Sequence, residues 1–255
     1  MPGPFHTSRP NLTPRQRLTY LAHLYKALAR QHHRQLWDLL RAYVPPDGVV
    51  IDAGAHAGQF AKLFAALAPS GQIYAFEPGA YALSILARVV RWRRLRHVTV
   101  VPLALSDAAG TARLAMPIKP GGSLGFGLAH LDPPVGNDRG RAVTQETVRA
   151  TTLDNFVRKT ALERLDFVKA DVEGWEVRLL CGGRDSLARH RPAVMVELVA
   201  AHLARAGTDA TEAWDILGPL GYTAVRLADA RPAPGFVGDG DYLFVATDSQ
   251  DLGGD

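Results

Sequence analysis

Two hydrophobic periods alternate along most of this chain. Short β-branched runs, such as VVID at residues 49–52, are followed by stretches such as QFAKLFAALAP, in which apolar residues recur every three or four positions. The first pattern is typical of buried strands and the second of amphipathic helices. The predicted strands are 49–53, 72–76, 97–105, 165–171 and 193–198, and the predicted helices are 58–67, 80–94, 153–160 and 174–181. Because strands separated by helices indicate βαβ units, the sequence predicts an α/β fold with a parallel sheet.

Both ends of the chain depart from this alternation. Residues 12–43 carry leucines and aromatics at helical spacing, and Pro45, Pro46 and Gly48 then end the helix before the first strand. Near the other end, a helix predicted at 211–218 precedes two strand-like runs, GYTAVRL and DYLFVAT. We expect this closing pair to add an antiparallel strand to the parallel sheet.

The middle of the chain also breaks the pattern. Between the strand-like pieces RLAMPI and TVRATTL lies a segment rich in glycine, proline and polar residues. Long loops in compact domains are usually functional or disordered, and we expect residues 116–140 to form a lid that faces the substrate. The predicted organisation is an N-terminal helical segment at 1–47, a main domain at 48–248 and a flexible tail at 249–255.

Composition excludes several classes of protein. With 255 residues, of which 47% are hydrophobic and 21% charged, the chain suits one α/β domain with an accessory segment. No apolar run approaches the length of about 20 residues that a membrane helix needs, and the first residues lack the apolar centre of a secretory signal. The single cysteine, Cys181, excludes an intrachain disulfide framework. The expected location is the cytoplasm, and the expected role of Cys181 is to fill a helix end.

The charge of the chain points only weakly to a partner. A net charge of +4 suits an anionic ligand such as a phosphate-bearing substrate. Basic residues are dispersed, apart from the run RWRRLR at 91–96 and the N-terminal third. No recognised nucleic-acid motif accompanies that run, so a solvated helix face is favoured over a nucleic-acid interface.

A turn of small residues follows the first predicted strand. In VVIDAGAHAGQF, Gly54 and Gly58 let a ligand approach the backbone closely. Glu77 and Pro78 follow the second strand, and the carboxyl ends of parallel strands open on one crevice. An acidic side chain there accepts hydrogen bonds from both ribose hydroxyls of a nucleoside. The two turns together therefore predict a nucleoside-binding site.

Two classes of enzyme share such a site. A dinucleotide-binding oxidoreductase requires G-x-G-x-x-G, but this turn reads GAHAG and lacks the third small position. Asp52, at the end of the first strand, suits a different ligand, because a carboxylate there can hold the amino-acid end of S-adenosylmethionine, directly or through water. A methyltransferase is therefore preferred to a dehydrogenase.

Several motifs, in order, resemble one known family. They are VVIDAGAHAGQF, IYAFEPGAYALSILARVV, LALSDAAGT, TTLDNFV, LDFVKADVEGWEVRLLCGG and PAVMVEL, within residues 48–200. Together they resemble the FkbM family of S-adenosylmethionine-dependent methyltransferases. The resemblance implies a Rossmann-like class I methyltransferase fold and O-methylation of a hydroxyl on a small molecule, polyketide, sugar or glycolipid. One departure is His56, where the family often has asparagine.

The expected cofactor site combines the two turns with the turns that this fold places beside them. Its predicted members are Asp52, Gly54, Ala55, His56, Gly58, Glu77, Pro78, Ser106, Asp107 and Asp171. Ser106 and Asp107 follow the third strand, where this fold generally contacts the adenine. The expected cofactor is S-adenosylmethionine.

Catalysis requires alignment of an oxygen nucleophile with the methyl group and removal of its proton. The catalytic candidates are Asp171, Glu173, Glu197 and His56, and His130 in the insertion is a further imidazole base. Fold analogy makes Asp171 the first choice as base or substrate orienter. The alternative is that Asp171 and Glu173 cap the next helix, because acidic residues favour that position.

We expect structural rather than catalytic roles for the other polar residues near these motifs. Lys169 is expected to pair with a carboxylate, and His32 and His33 to lie on the surface of the N-terminal segment. The three carboxylates after the later strands could gather a hard cation such as magnesium, but no compact ligand motif supports one, and a metal is not favoured. Zinc is disfavoured by the single cysteine and the absence of H-x-x-x-H.

The sequence thus predicts O-methylation of a small-molecule acceptor in natural product biosynthesis. Two alternatives stay open: an N-methyltransferase that acts on an amine, and a noncatalytic binding protein that keeps the cofactor pocket. The acceptor pocket would come from the insertion and the N-terminal segment, where the resemblance ends. A homodimer through the N-terminal helices is one expected assembly.

Overall fold

The structure is a computed structural model of the chain, and it describes residues 13–117, 130–132 and 143–247. Most of the predicted lid, at 118–129 and 133–140, lies outside the described residues, as does the predicted tail at 249–255. The lid and the tail therefore stay predictions.

Eight strands form the main sheet. In spatial order they are β11 (Arg231–Pro232), β10 (Tyr222–Arg226), β12 (Gly240–Ala246), β9 (Ala193–Leu198), β8 (Phe167–Ala170), β1 (Val49–Ala53), β2 (Gln72–Phe76) and β3 (Val98–Val101). The five from β9 to β3 pair in parallel, while β12 pairs antiparallel with both β9 and β10. This arrangement confirms the predicted α/β fold, with a mostly parallel sheet and an antiparallel C-terminal addition.

Helices cover both faces of this sheet. They are α1 (Pro14–Ala29), α2 (Trp37–Leu40), α3 (Gln59–Leu67), α4 (Ala80–Trp92), α5 (Leu153–Thr160), α6 (Glu176–Cys181), α7 (Arg184–His190), α8 (Ala200–Arg205) and α9 (Glu212–Leu217). The side chains of Val50 and Ile51 enter two different core clusters, because successive strand residues point to opposite faces. The sequence pattern did not predict α7 and α8.

A second, smaller sheet stands beside the main one. Its order is β4 (Ala104–Leu105), β7 (Val143–Thr151), β5 (Gly110–Pro117) and β6 (His130–Asp132). The single strand predicted at 97–105 is wrong, because it divides at Pro102, which has no N–H for a sheet ladder. The chain after Pro102 then pairs with β7 rather than continuing the main sheet. This change of sheet places residues 103–105 at the carboxyl ends of the parallel strands.

The N-terminal segment is bent rather than continuous. A helix-rich stretch was predicted at 12–43, but α1 ends at Ala29 and a short 3-10 helix at Arg34–Leu36 precedes α2. Tyr20 and Leu24 on α1 pack with residues of α4 in a small apolar cluster. Between the two helices, the chain runs along α3, where Lys62 Nζ donates to the carbonyls of Ala27 and Arg30 at 2.6 Å each.

Replacing Lys62 with Met is expected to loosen this attachment. Hydrogen bonds to a charged donor contribute about 1.5–3 kcal/mol, so we expect a loss of that order in the free energy of unfolding. Hydrogen exchange in α1 should quicken more than exchange in the main sheet, because the lost bonds end on α1 and the residue that caps it. Lys26→Met is the matched control, since Lys26 is an exposed lysine on α1 itself. Equal protection of α1 in both variants would contradict the role of Lys62.

Candidate active site

A cavity of about 270 Å³ opens at the carboxyl ends of β1, β2 and β8. Its wall consists of residues 53–57, Gln59, Phe60, residues 76–78, residues 103–105, Leu114, Leu131, Lys169, residues 171–173 and His33. The turns after β1 and β2 therefore open on one crevice, as ligand sites in parallel α/β sheets do.

Contacts with neighbouring elements determine the shape of the turn after β1. Gly54 has a φ of 74°, and a Cβ added there would lie 1.8 Å from the carbonyl oxygen of Asp171. Glycine is required here because the end of β8 passes directly against the turn. The backbone N–H groups of Gly54 and Ala55 donate to the carbonyl of Phe76 and join this turn to β2. Gly58, also with a positive φ, begins α3 against Leu86 and is not part of the cavity wall.

Glu77 bridges the two turns with one carboxylate. Its Oε2 accepts from the His56 N–H and its Oε1 from the Gly79 N–H, both at 2.9 Å. The side chain is 8% exposed, and burial raises the pKa of Glu77 to about 7 despite these two bonds. A second carboxylate, Glu146 on β7, accepts from the Ala80 N–H at the start of α4. The sequence did not indicate Glu146, because its partner is 66 residues away.

Lys169 occupies the centre of the charged groups. Its ammonium is 3.1 Å from Asp171 Oδ2 and 3.5 Å from Asp52 Oδ1, and it donates to the carbonyls of Ala53 and Gly54 at 3.2 Å. Only 1% of the side chain is exposed. Burial lowers the pKa of Lys169, but the charges of Asp171 and Asp52 outweigh burial and raise it overall. The predicted pairing of Lys169 with a carboxylate is thus present twice.

Asp52 is enclosed beneath the cavity rather than on its wall. The side chain is fully buried, and burial raises its pKa against the opposing influence of Lys169. Within the described residues, neither oxygen of this carboxylate accepts a hydrogen bond of good geometry. Asp52 lies next to Lys169, which does line the cavity, and its role at the amino-acid end of the cofactor, directly or through water, stays a prediction.

Asp171 is the most exposed member of this charged group, with 33% of its side chain accessible. Burial alone would raise its pKa, but Lys169 outweighs burial and holds the pKa of Asp171 below its usual range. Behind it, Glu197 at the end of β9 hydrogen-bonds to Asp171, and burial together with the Asp171 charge raises the pKa of Glu197 to about 8. Asp171 thus lies between the ammonium of Lys169 and the carboxyl group of Glu197, and Glu197 is not part of the cavity wall.

A residue that the sequence did not single out shapes the turn between β8 and α6. Glu176, the first residue of α6, accepts from the N–H groups of Val172 and Gly174 at 2.7 to 3.2 Å. No side-chain hydrogen bond caps the N-terminus of α6 among the described residues, so the alternative that Asp171 and Glu173 cap this helix is not observed. Glu173 lines the cavity with a φ of 57° and pairs with His202 at 3.3 Å. Burial, followed by the Asp171 and Glu176 charges, raises the pKa of Glu173 to about 7.

Ser106 and Asp107 lie beside the cavity but not on its wall. Ser106 Oγ accepts from Trp175 Nε1 and donates to Asp107, both at 2.9 Å. Asp107 pairs with Arg178 at 2.9 Å. With both side chains engaged away from the cavity, the wall after β3 is formed by residues 103–105 instead. The predicted contact of Ser106 and Asp107 with adenine stays a prediction.

The histidines differ from the prediction in one case. His56 lines the cavity, as expected, and has a φ of 49°. His33 was predicted on the surface, but it is half-buried and stacks on Phe60 with ring centroids 4.4 Å apart. No sequence signal indicated this position, because the bend after α1 is what brings His33 to the cavity. His130 begins β6, and His32 is outside the wall.

Two further features concern the part of the chain that the structure describes. No group of three or more histidine, cysteine or acidic side chains there is arranged to hold a metal ion. No helix within the same residues is both long and apolar enough to cross a membrane.

Comparisons with known proteins agree on the class of enzyme. The family described as "Methyltransferase FkbM domain" matches residues 52–224. Methyltransferase sdnD of Sordaria araneosa is 29% identical over 209 residues, which cover 69% of this chain and 76% of that protein. The 2-O-methyltransferase NoeI of Sinorhizobium fredii is 27% identical over 167 residues, 62% of this chain and 65% of that protein.

A solved structure supports the same fold. The methyltransferase FkbM from Methylobacillus flagellatus KT superposes with a TM-score of 0.50 at 13% identity, over 89% of this chain and 59% of that chain. Since the family match covers more than half of the sequence, the chain belongs to the FkbM family of S-adenosylmethionine-dependent methyltransferases and has their Rossmann-like class I fold.

Proposed function

We propose that this chain O-methylates a hydroxyl group of a small-molecule natural product, with S-adenosylmethionine as methyl donor. The observation that carries the proposal is one cavity at the carboxyl ends of the strands, which both Glu77 and the ionised Asp171 line. The printed name of one relative, a 2-O-methyltransferase, supports transfer to oxygen. A polyketide, a sugar or another hydroxylated natural product is the acceptor class that we propose.

Glu77 fits the ribose of the cofactor. A carboxylate has about four lone-pair positions, and backbone N–H groups occupy two of those on Glu77. The two that remain can accept from the two ribose hydroxyls. The apolar side chains of Leu103, Leu114 and Leu131 form the wall proposed to contact the adenine.

The amino-acid end of the cofactor is proposed to lie at the turn after β1. Gly54 and Ala55 line the cavity there, and their small size leaves room for the methionine part of the cofactor. Asp52 supports this arrangement through Lys169, which also binds the carbonyls of Ala53 and Gly54. One cation thus fixes the position of both the turn and Asp171.

The cofactor and the residues of the chain have different roles in the reaction. When bound, S-adenosylmethionine supplies an electrophilic methyl group on a sulfonium. The chain's part is to orient the acceptor, exclude water and accept a proton. Because Lys169 lowers the pKa of Asp171, we propose that Asp171 orients the acceptor hydroxyl rather than taking its proton. Glu197 hydrogen-bonds to Asp171 and supports its position, and no step is proposed through a metal ion.

The N-terminal segment and the lid complete the proposed acceptor side. Leu114 precedes the insertion at 116–140, Leu131 lies within it, and both line the cavity, which supports a lid role for that insertion. Exposed Leu18, Leu21 and Tyr25 form one stripe on α1, the face that a homodimer through the N-terminal helices would cover. The homodimer and the cytoplasmic location stay predictions.

Binding of S-adenosylhomocysteine, followed by calorimetry, tests the cofactor site. The ribose hydroxyls are donors, so they favour the ionised form of Glu77, whose pKa is raised to about 7. Affinity should therefore rise about tenfold from pH 6 to pH 8, with proton release on binding. Glu173 also lines the cavity and also has a pKa of about 7, so Glu173→Gln is the control. This variant should keep the rise of affinity with pH. An affinity that does not change with pH would contradict the assignment of Glu77 to the ribose.

The acceptor atom is tested by mass detection of the product. Incubation with S-adenosylmethionine and paired alcohol and amine compounds should give a methyl ether and no methylated amine. Methylation of amines alone would favour the N-methyltransferase alternative. Cofactor binding without any methylated product from extracts rich in natural products would favour the noncatalytic alternative.

A further inference from the structure

His33 reaches the cavity from outside the region that the family profile matches. The match begins at residue 52, whereas His33 belongs to the bend between α1 and α2. Its ring stacks on Phe60 at 4.4 Å and an interplanar angle of 21°. The ammonium of Lys169 lies 4.9 Å from the centroid of the same Phe60 ring. His33 thus stands on the side of the cavity where Lys169 and Asp171 meet.

The bend after α1 fixes the position of His33. Its φ is 63°, in the left-handed region, which histidine adopts more readily than most residues other than glycine. Gln59 on α3 fixes the bend, because its Oε1 accepts from the His32 N–H and its carbonyl accepts from Gln31 Nε2, both at 3.1 Å.

The ring nitrogens of His33 accept and donate no hydrogen bond within residues 13–117, 130–132 and 143–247. By contrast, His23 bonds to Tyr81 and His202 pairs with Glu173. Burial, then Lys169 and His32, lower the pKa of His33, while Asp171 opposes them. The imidazole is therefore neutral at pH 7 and has a lone pair available to a ligand.

We propose that His33 is the base of the methyl-transfer reaction, an inference that rests on the proposed function. The imidazole takes the proton of the acceptor hydroxyl as the oxygen forms its bond to the methyl carbon. The carbon–sulfur bond breaks, its electron pair stays on sulfur, and the proton remains on His33 until solvent removes it. Asp171 keeps its charge throughout, since Lys169 stabilises the ionised form. The N-terminal segment thus supplies a catalytic residue and not only acceptor contacts.

Sinefungin tests this placement without a known acceptor. In this analogue an amino-bearing carbon replaces the methylsulfonium, so its ammonium occupies the point of methyl transfer. A neutral His33 would accept a hydrogen bond from that ammonium, which S-adenosylhomocysteine cannot donate. The measured quantity is the ratio of the Kd for S-adenosylhomocysteine to the Kd for sinefungin. We expect this ratio to be about tenfold larger for the native protein than for the His33 variants. This preference should grow from pH 5 to pH 7, as the imidazole loses its proton.

Two variants and one control make the result decisive. His33→Asn suits the left-handed backbone, and His33→Phe keeps the stack on Phe60, so at least one should fold with a native melting temperature. His32→Asn, outside the cavity wall, should keep the full preference. Loss of the preference with unchanged S-adenosylhomocysteine affinity supports the inference. An unchanged preference, or equal weakening of both ligands, overturns it. Failure of the native protein to bind either ligand overturns the cofactor assignment itself, which separates the two claims.

Discussion

Replacing Lys169 with Met is expected to lower the free energy of unfolding by about 3–5 kcal/mol, the usual effect of removing one partner of a buried ion pair. Methionine fills a similar volume but leaves Asp52, fully buried, and Asp171 without their shared cation. The loss should shrink at low pH, where the two carboxylates become neutral in the variant. Urea denaturation at pH 5 and pH 8 measures both effects.

A second substitution provides the control for Lys169→Met. Adding Asp52→Asn to the Met variant removes the enclosed charge, so part of the lost stability should return. A Met variant within about 1 kcal/mol of the native protein would show that the ion pairs barely affect stability. Equal stability of the single and double variants would show that Asp52 is not charged in the folded chain.

Replacing Glu77 with Ala is expected to weaken S-adenosylhomocysteine binding by about a hundredfold or more, because two hydrogen bonds to a charged acceptor are lost. The substitution also removes the acceptor for the His56 and Gly79 N–H groups. A smaller loss of stability should accompany it, without unfolding at 25 °C. Glu77→Gln should fall between Ala and the native residue, since one of its two terminal atoms still accepts.

Glu146→Gln is the matched control for Glu77. Glu146 also accepts from a backbone N–H near the start of α4, but it is not part of the cavity wall. Its replacement should change stability slightly and leave cofactor affinity unchanged, as measured by calorimetry at pH 8. Equal loss of affinity in the two variants would mean that Glu77 acts only by holding the turn.

Several parts of the site followed from local sequence. The β-branched run at 49–52 predicts a strand, and the small residues after it predict a close approach of backbone. In a parallel sheet the carboxyl ends of neighbouring strands meet, so Glu77 and Asp171 could be assigned to one crevice before any coordinates. The family motifs in residues 48–200 carried the same information, and the family match agrees with them.

Other parts could not be predicted from local patterns. The division of the strand predicted at 97–105 depends on a partner strand, β7, that is about forty residues further along the chain. Its consequence is that residues 103–105, and not Ser106 or Asp107, form the wall of the cavity. A propensity describes one segment, whereas pairing depends on which other segment is available.

The sequence by itself determined the α/β order, the cofactor turns and the family, because these depend on short-range periodicity and contiguous motifs. Only the tertiary structure decided how the charges are shared: Lys169 binds both Asp52 and Asp171, while Glu176 binds the backbone of the turn that follows β8. It also decided that the bend after α1 places His33 against Phe60. The physical reason is that ionisation, burial and ring contacts depend on distances between residues far apart in the chain, which no local pattern specifies.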